Sequence, residues 1–199
     1  MTSGETAMSS HPALVVETMS KILKTTEQFL LKTTRSHREN TRKTGEMDEN
    51  QLRIAVAVSA LEAAADAKAK AIIVFSDSGE MAKLVSKGRP NCPIISFTPK
   101  RENREVVVHI LRLHYGIYPF ELDFPKYIDT TLAKAENIIL TSDLKLNSGD
   151  WVVMCAGNNL PIPGLNNMTK IFRLGEFLRT YVEHFHIAEH HHADHIKKP

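Results

Sequence analysis

Three short runs constrain this chain more than anything else in it: AIIVFS at 71–76, PIISFT at 93–98 and WVVMCAG at 151–157. Each stays apolar over a strand's length, without the polar alternation of a sheet that has one wet face. Each therefore predicts a strand covered on both sides. The intervening segments read differently. Residues 50–68 are dense in alanine and place Ile54, Val58, Leu61 and Ala65 at a 4-3-4 spacing, which predicts a helix with those residues inward. GEMAKLVSKG predicts a short helix that Gly88 ends, and ENREVVVHILRLHYG predicts another. IYPFEL reads as a third short strand, and Tyr127 to Ala135 as a helix.

Helices alternating with buried strands predict a three-layer α/β/α sandwich around a mostly parallel mixed sheet of about five strands. The last strand, Thr169 to Leu174, is reached through GNNLPIPGLNN, which has no helical pattern. A parallel return needs a longer crossover, so this strand is predicted to be antiparallel.

Outside this core the chain changes character. Ser9, Ser10 and His11 precede Pro12, a good cap and first-turn arrangement, and a helix is predicted from there to about Leu31. Before it stands Ser3-Gly4-Glu5-Thr6, a turn-forming string in which Gly4 can take a positive φ. Residues 33–48 are polar, without apolar period, and read as a linker. Beyond Leu174, Phe177, Leu178, Tyr181, Val182 and Phe185 mark one face of an amphipathic helix before a histidine-rich end. The resulting division is 1–32, 33–48, 49–174 and 175–199.

Charge and cysteine content exclude several classes. A net charge of +2 in 199 residues argues against nucleic acid and anionic membrane as partners. No apolar run reaches the roughly 18 residues of a membrane span, and no apolar signal core opens the chain. Cys92 and Cys155 match no C-x-x-C pattern and read as free thiols of a cytoplasmic protein.

Two places could carry chemistry. The loop Ser76, Asp77, Ser78, Gly79 ends a strand and starts a helix, where open α/β sheets bind ligands and where backbone N–H groups favour anions. Asp77 and Glu80 oppose that, each repelling a phosphate by roughly a kcal/mol. The loop therefore reads first as a well-capped turn. His184, His186, His190, His191, His192 and His195 include i,i+4 pairs that suit a metal, but three adjacent histidines near a terminus read first as a solvated tail, so no metal site is assigned. His109 and His114 read as structural.

Five blocks, SGETAMSSHPALVVETMSKI, AVAVSALEAAADAKAKAIIVFSDSGEMAKLVSKGRPNCPIISFTP, YGIYPF, SGDWVVMCAG and PGLNNMTKIF, follow the order and spacing of pyruvate kinase, which the chain resembles from Thr2 to Phe172. The resemblance implies that Ser3, Gly4, Glu5 and Thr6 belong to the rim of the family's catalytic β/α barrel, with Ser3 and Glu5 as remnants of its catalytic set. It implies that residues 1–32 are the barrel's last strand end and helix, so Val15, Val16, Met19, Ile22 and Leu23 lack their inherited partner. Residues 49–174 then correspond to the C-terminal domain, which carries subunit contacts and, in many members, a site for a phosphorylated effector.

The complete family enzyme uses magnesium and potassium to move phosphate from phosphoenolpyruvate to ADP. The lysine, arginine and metal-holding carboxylates of that chemistry have no counterpart in this sequence, so these residues alone are expected to be inactive and to need no cofactor. Expected partners are the chain itself or full-length pyruvate kinase subunits. The resemblance places an effector site at Ser76, Asp77, Ser78, Gly79, Asn158 and Gly164. Glu80 and Met81 replace the family's basic and hydroxylic positions, and GNNLPIPG lacks the G-x-x-P-G-S-G form, which argues against effector binding. The rival readings are a free-standing regulatory or binding domain derived from the family and a metal-responsive module built on the histidines.

Overall fold

The computed structural model describes residues 3–33, 49–100, 105–124, 128–157 and 167–180. Two compact units are present, residues 1–46 and 47–199.

The first unit holds a single helical turn, α1 (Gly4–Ala7), and a long helix, α2 (Pro12–Thr33). The Ser3 hydroxyl accepts from Gly4 N–H at 2.6 Å, and Met8 N–H closes the turn on the Gly4 carbonyl at 2.8 Å. Gly4 thus enters a helical turn and does not use the positive φ its sequence permits. At the start of α2 the Ser9 hydroxyl accepts from His11 N–H at 3.0 Å. Leu14, Val16, Ile22, Leu23 and Phe29 are all more than half exposed along α2, whereas Val15 and Met19 are half-buried.

The second unit is an α/β domain. In chain order it contains α3 (Glu49–Asp66), β1 (Ala71–Phe75), α4 (Glu80–Lys87), β2 (Ile94–Pro99), α5 (Glu105–Arg112), β3 (Ile117–Leu122), α6 (Ile128–Thr141), β4 (Trp151–Ala156) and β5 (Met168–Arg173). The five strands lie in the order β3-β2-β1-β4-β5. β3, β2, β1 and β4 are parallel, and β5 runs antiparallel to β4, with Val152 opposite Phe172 and Met154 opposite Lys170. The predicted architecture is therefore the observed one, including the reversed last strand.

β1 and β2 are buried along their whole length, as continuous apolar runs require. One face of the sheet, through Ile72, Val74, Ile94, Val153 and Cys155, packs with α3, α4 and α5. The other, through Ile73, Phe75, Ile95, Phe97, Val152 and Met154, packs with α6 and with Leu174 beyond β5.

Helix α3 overturns the expected inner face. Val56, Ala57, Ala60, Leu61 and Ala64 point inward, whereas Ile54 is 43% and Val58 38% exposed, and Ala65 is exposed too. The small alanines let α3 approach its neighbours closely. At Gly88, which follows α4, an added Cβ would lie 2.2 Å from Leu61 Cδ1. Gly88 also keeps an ordinary right-handed conformation, φ −74°, and the left-handed residue after the helix is Arg89 at φ 45°. Glycine stands at 88 for space beside α3 and not for backbone freedom.

Candidate functional site

The loop Ser76–Gly79 leaves the carboxyl end of β1 and feeds α4. Ser76 is buried, and its N–H donates to the Phe97 carbonyl at 3.0 Å, tying the end of β1 to β2. Its hydroxyl accepts from Gly79 N–H at 3.1 Å, which closes the loop on itself. Gly79 takes φ 76°, and a Cβ there would meet Leu111 Cδ2 at 2.9 Å, so conformation and space both demand glycine. Asp77 is half-buried and Ser78 exposed. The loop closes on itself through Ser76 and Gly79, and Gly79 at the start of α4 offers that helix no side-chain cap.

The charge balance is gentler than the formal count. Lys83 Nζ donates to Glu80 Oε1 at 2.9 Å. That bond, with the nearby charges of Lys83, Arg53 and Lys87, holds the Glu80 carboxyl below the usual carboxylate range against a smaller opposing effect of burial. An approaching phosphate would meet a carboxylate already shared among cations.

The other candidate residues divide by place. Ser76 and Gly79 touch, as above. Ser3 is exposed and lies in the first unit, where Glu5 contributes its backbone to α1 while its side chain is outside the described residues. Asn158 and Gly164 are outside the described residues, as are the histidines from His184 onward. Among the described residues, no three His, Cys, Asp or Glu side chains gather to hold a metal.

A second built site lies at the far end of the fold and has a residue that sequence reasoning missed. Glu136, on α6, is 1% exposed. Its Oε1 accepts from Gly175 N–H at 2.8 Å and its Oε2 from Leu178 N–H at 2.7 Å. Residues 176–180 are helical, so the carboxylate satisfies backbone donors at a helix start. Burial pushes the Glu136 carboxyl above its ordinary value, and the backbone bonds from Leu178 and Gly175 oppose that. The signal was in LAKAENIIL: a lone glutamate four residues after Leu132 and three before Ile139, on the stripe that faces the core.

The two cysteines are shielded: burial pushes the Cys92 thiol up to about 11 and the Cys155 thiol up to about 12. Neither is a thiolate nucleophile at neutral pH.

Comparison with known proteins places this architecture. Residues 54–172 match the family described as pyruvate kinase, alpha/beta domain. The pyruvate kinase of Sporosarcina psychrophila is 31% identical over 178 residues, covering 89% of this chain and 29% of that protein. The pyruvate kinase of Clostridium acetobutylicum is 30% identical over 177 residues, covering 86% of this chain and 34% of its own length. A crystal structure of Cryptosporidium parvum pyruvate kinase superposes with a TM-score of 0.56 at 27% identity, over 87% of this chain and 32% of that one. The chain thus spans about a third or less of the relatives it matches.

Proposed function

The chain belongs to the pyruvate kinase family, which it matches through that family's C-terminal α/β domain, and from that premise we propose that these residues supply subunit contacts and regulation to a pyruvate kinase. In this reading the transfer of phosphate from phosphoenolpyruvate to ADP, with its magnesium and potassium, belongs to a catalytic barrel that the domain serves. In this reading Ser3 and Glu5 are remnants of the rim of that barrel. The working partner is a second copy or a full-length pyruvate kinase subunit. The proposed location is the cytoplasm, which fits two free thiols, and no helix of the described residues is long and apolar enough to cross a membrane.

The observation that carries the subunit-contact reading is the outer side of α3. Ile54 and Val58 are exposed there, and Ile171 of edge strand β5, on the same side of the sheet as Val153, is 46% exposed. Apolar side chains grouped on one side of an edge strand favour an interface. Sedimentation tests this. The 199-residue polypeptide is expected to self-associate at micromolar concentration, and the pair Ile54→Asp and Val58→Asp to make it monomeric. A monomeric parent, or an assembly indifferent to both aspartates, would overturn the reading.

The same polypeptide, assayed with coupled lactate dehydrogenase at saturating magnesium, potassium, phosphoenolpyruvate and ADP, is expected to show no turnover. A rate near the enzyme norm of about 10 per second would place catalysis within these residues.

A further inference from the structure

The chain does not simply run out of the sheet after β5; it is caught. Leu174 N–H donates to the Asp150 carbonyl at 2.9 Å, and the Leu174 carbonyl accepts from Gly149 N–H at 2.8 Å. Gly175 then turns the chain at φ 91°, in a space where a Cβ would lie 2.5 Å from the Ser148 hydroxyl. Next come the two bonds from Gly175 and Leu178 to Glu136. They bring Phe177 edge-on against Phe172, with ring centroids 5.2 Å apart, and Lys170 Nζ sits 4.4 Å from the centroid of the Phe177 ring. Phe172 and Leu174 are sealed as a result, at 3% and 1% exposure. On the opposite face of the same strand Ile171 lies open. The family match ends at residue 172, just before this turn.

We propose that residues 174–180 form a strap over the α6 side of the β5 edge, latched by Glu136, and that the latch opens as a local event separate from the α/β core. Three features of the contact carry this. The latch is one side chain that holds two backbone donors, Gly175 and Leu178 N–H, at the start of the 176–180 helix, so its loss releases both together. Among the described residues, the strap beyond Gly175 meets this side of the sheet through Phe177, whose ring packs on Phe172. Opening uncovers Phe172, so the strap decides whether β5 shows apolar surface on one face or on two. A segment with few apolar contacts opens at a free energy below that of global unfolding. The inference rests on the geometry of this turn and holds whichever partner the α3 side takes.

Residue-resolved hydrogen exchange on the 199-residue protein tests it. In Glu136→Ala the Gly175 and Leu178 amides are expected to exchange at least tenfold faster, while those of Ile73 in β1 and Ile95 in β2 keep the parent's protection. Glu136→Gln has one acceptor oxygen in place of two and is the conservative variant should the alanine protein fail to fold. It is expected to lose protection at one of the two strap amides and retain it at the other. Unchanged exchange at both amides in a folded variant would overturn the latch. Equal loss of protection in the strap and in β1 and β2 would also overturn it, because Glu136 would then support the whole core.

Discussion

Two glutamates of this domain serve helix starts, and they do it under opposite conditions. Glu80 opens α4 from the surface, shares its charge with Lys83 and has a lowered pKa. Glu136 reaches from α6 to the start of the 176–180 helix inside the protein, has backbone partners and a raised pKa. Both meet the same favourable end of a helix. What separates them is water: at Glu80 solvent stabilises the charge and a flexible lysine adds to it, whereas at Glu136 the loss of solvent outweighs two good hydrogen bonds. A surface glutamate is dispensable because water replaces its partners. A buried one is not, because nothing replaces it.

The largest break in this comparison should come from Glu136→Ala. Two buried N–H donors would lose their acceptor at about 1–3 kcal/mol each. That loss falls on the strap, so the Tm should drop by less than the roughly 10 °C that a global loss of about 3 kcal/mol would give a domain of this size. Glu80→Ala removes an exposed i,i+3 pair and should change stability by no more than about 0.5 kcal/mol. Thermal unfolding by circular dichroism compares the two, and equal shifts would mean that burial is not what separates them.

Gly88→Ala sharpens the contrast by taking charge out of it. The new methyl has only the space now held by Leu61, at the other end of the helix that Glu80 opens. Overpacking of this kind costs about 1–3 kcal/mol. A denaturant midpoint unchanged by this substitution would show that α3 and α4 can part without penalty.

Acid should move the two glutamates in opposite directions. Glu136 holds its proton more tightly folded than unfolded. Its contribution to stability is full below the ordinary carboxyl value of 4.5 and is lost as pH rises through the raised one. Glu80 contributes above 4.5 and loses that contribution as pH falls through its lowered value. Measured by urea unfolding from pH 4 upward, Glu136→Gln should therefore gain ground on the parent protein as pH rises, and Glu80→Gln should lose it. The same trend for both would contradict the environments described.

The smallest expected effect is no effect. Titration calorimetry with fructose bisphosphate should show no binding at micromolar affinity, because the Ser76 hydroxyl and Gly79 N–H already satisfy one another and Glu80 stands at the helix start. Glu80→Arg should strengthen whatever binding exists. Tight binding by the unchanged protein would mean that the shared charge of Glu80 no longer repels a phosphate.

Much of this molecule was determined by its sequence. The apolar runs at 71–76, 93–98 and 151–157 could satisfy their burial only between two helical layers, and the helix-free connection to 169–174 could return only as an antiparallel strand. The loop at 76–79 was legible as the turn between β1 and α4, whereas the bond by which Gly79 N–H closes it on Ser76 was not. Tertiary structure decided the rest. Helix α3 spreads its polar and apolar residues with little preference for one side, so its periodicity gave a weak direction, and the inward face went to the side whose alanines let it close on α4. Glu136 found its partners 39 and 42 residues away. Those partners are backbone N–H groups, which nearly every residue carries, so no letter in the sequence could mark them before the chain had folded back to α6.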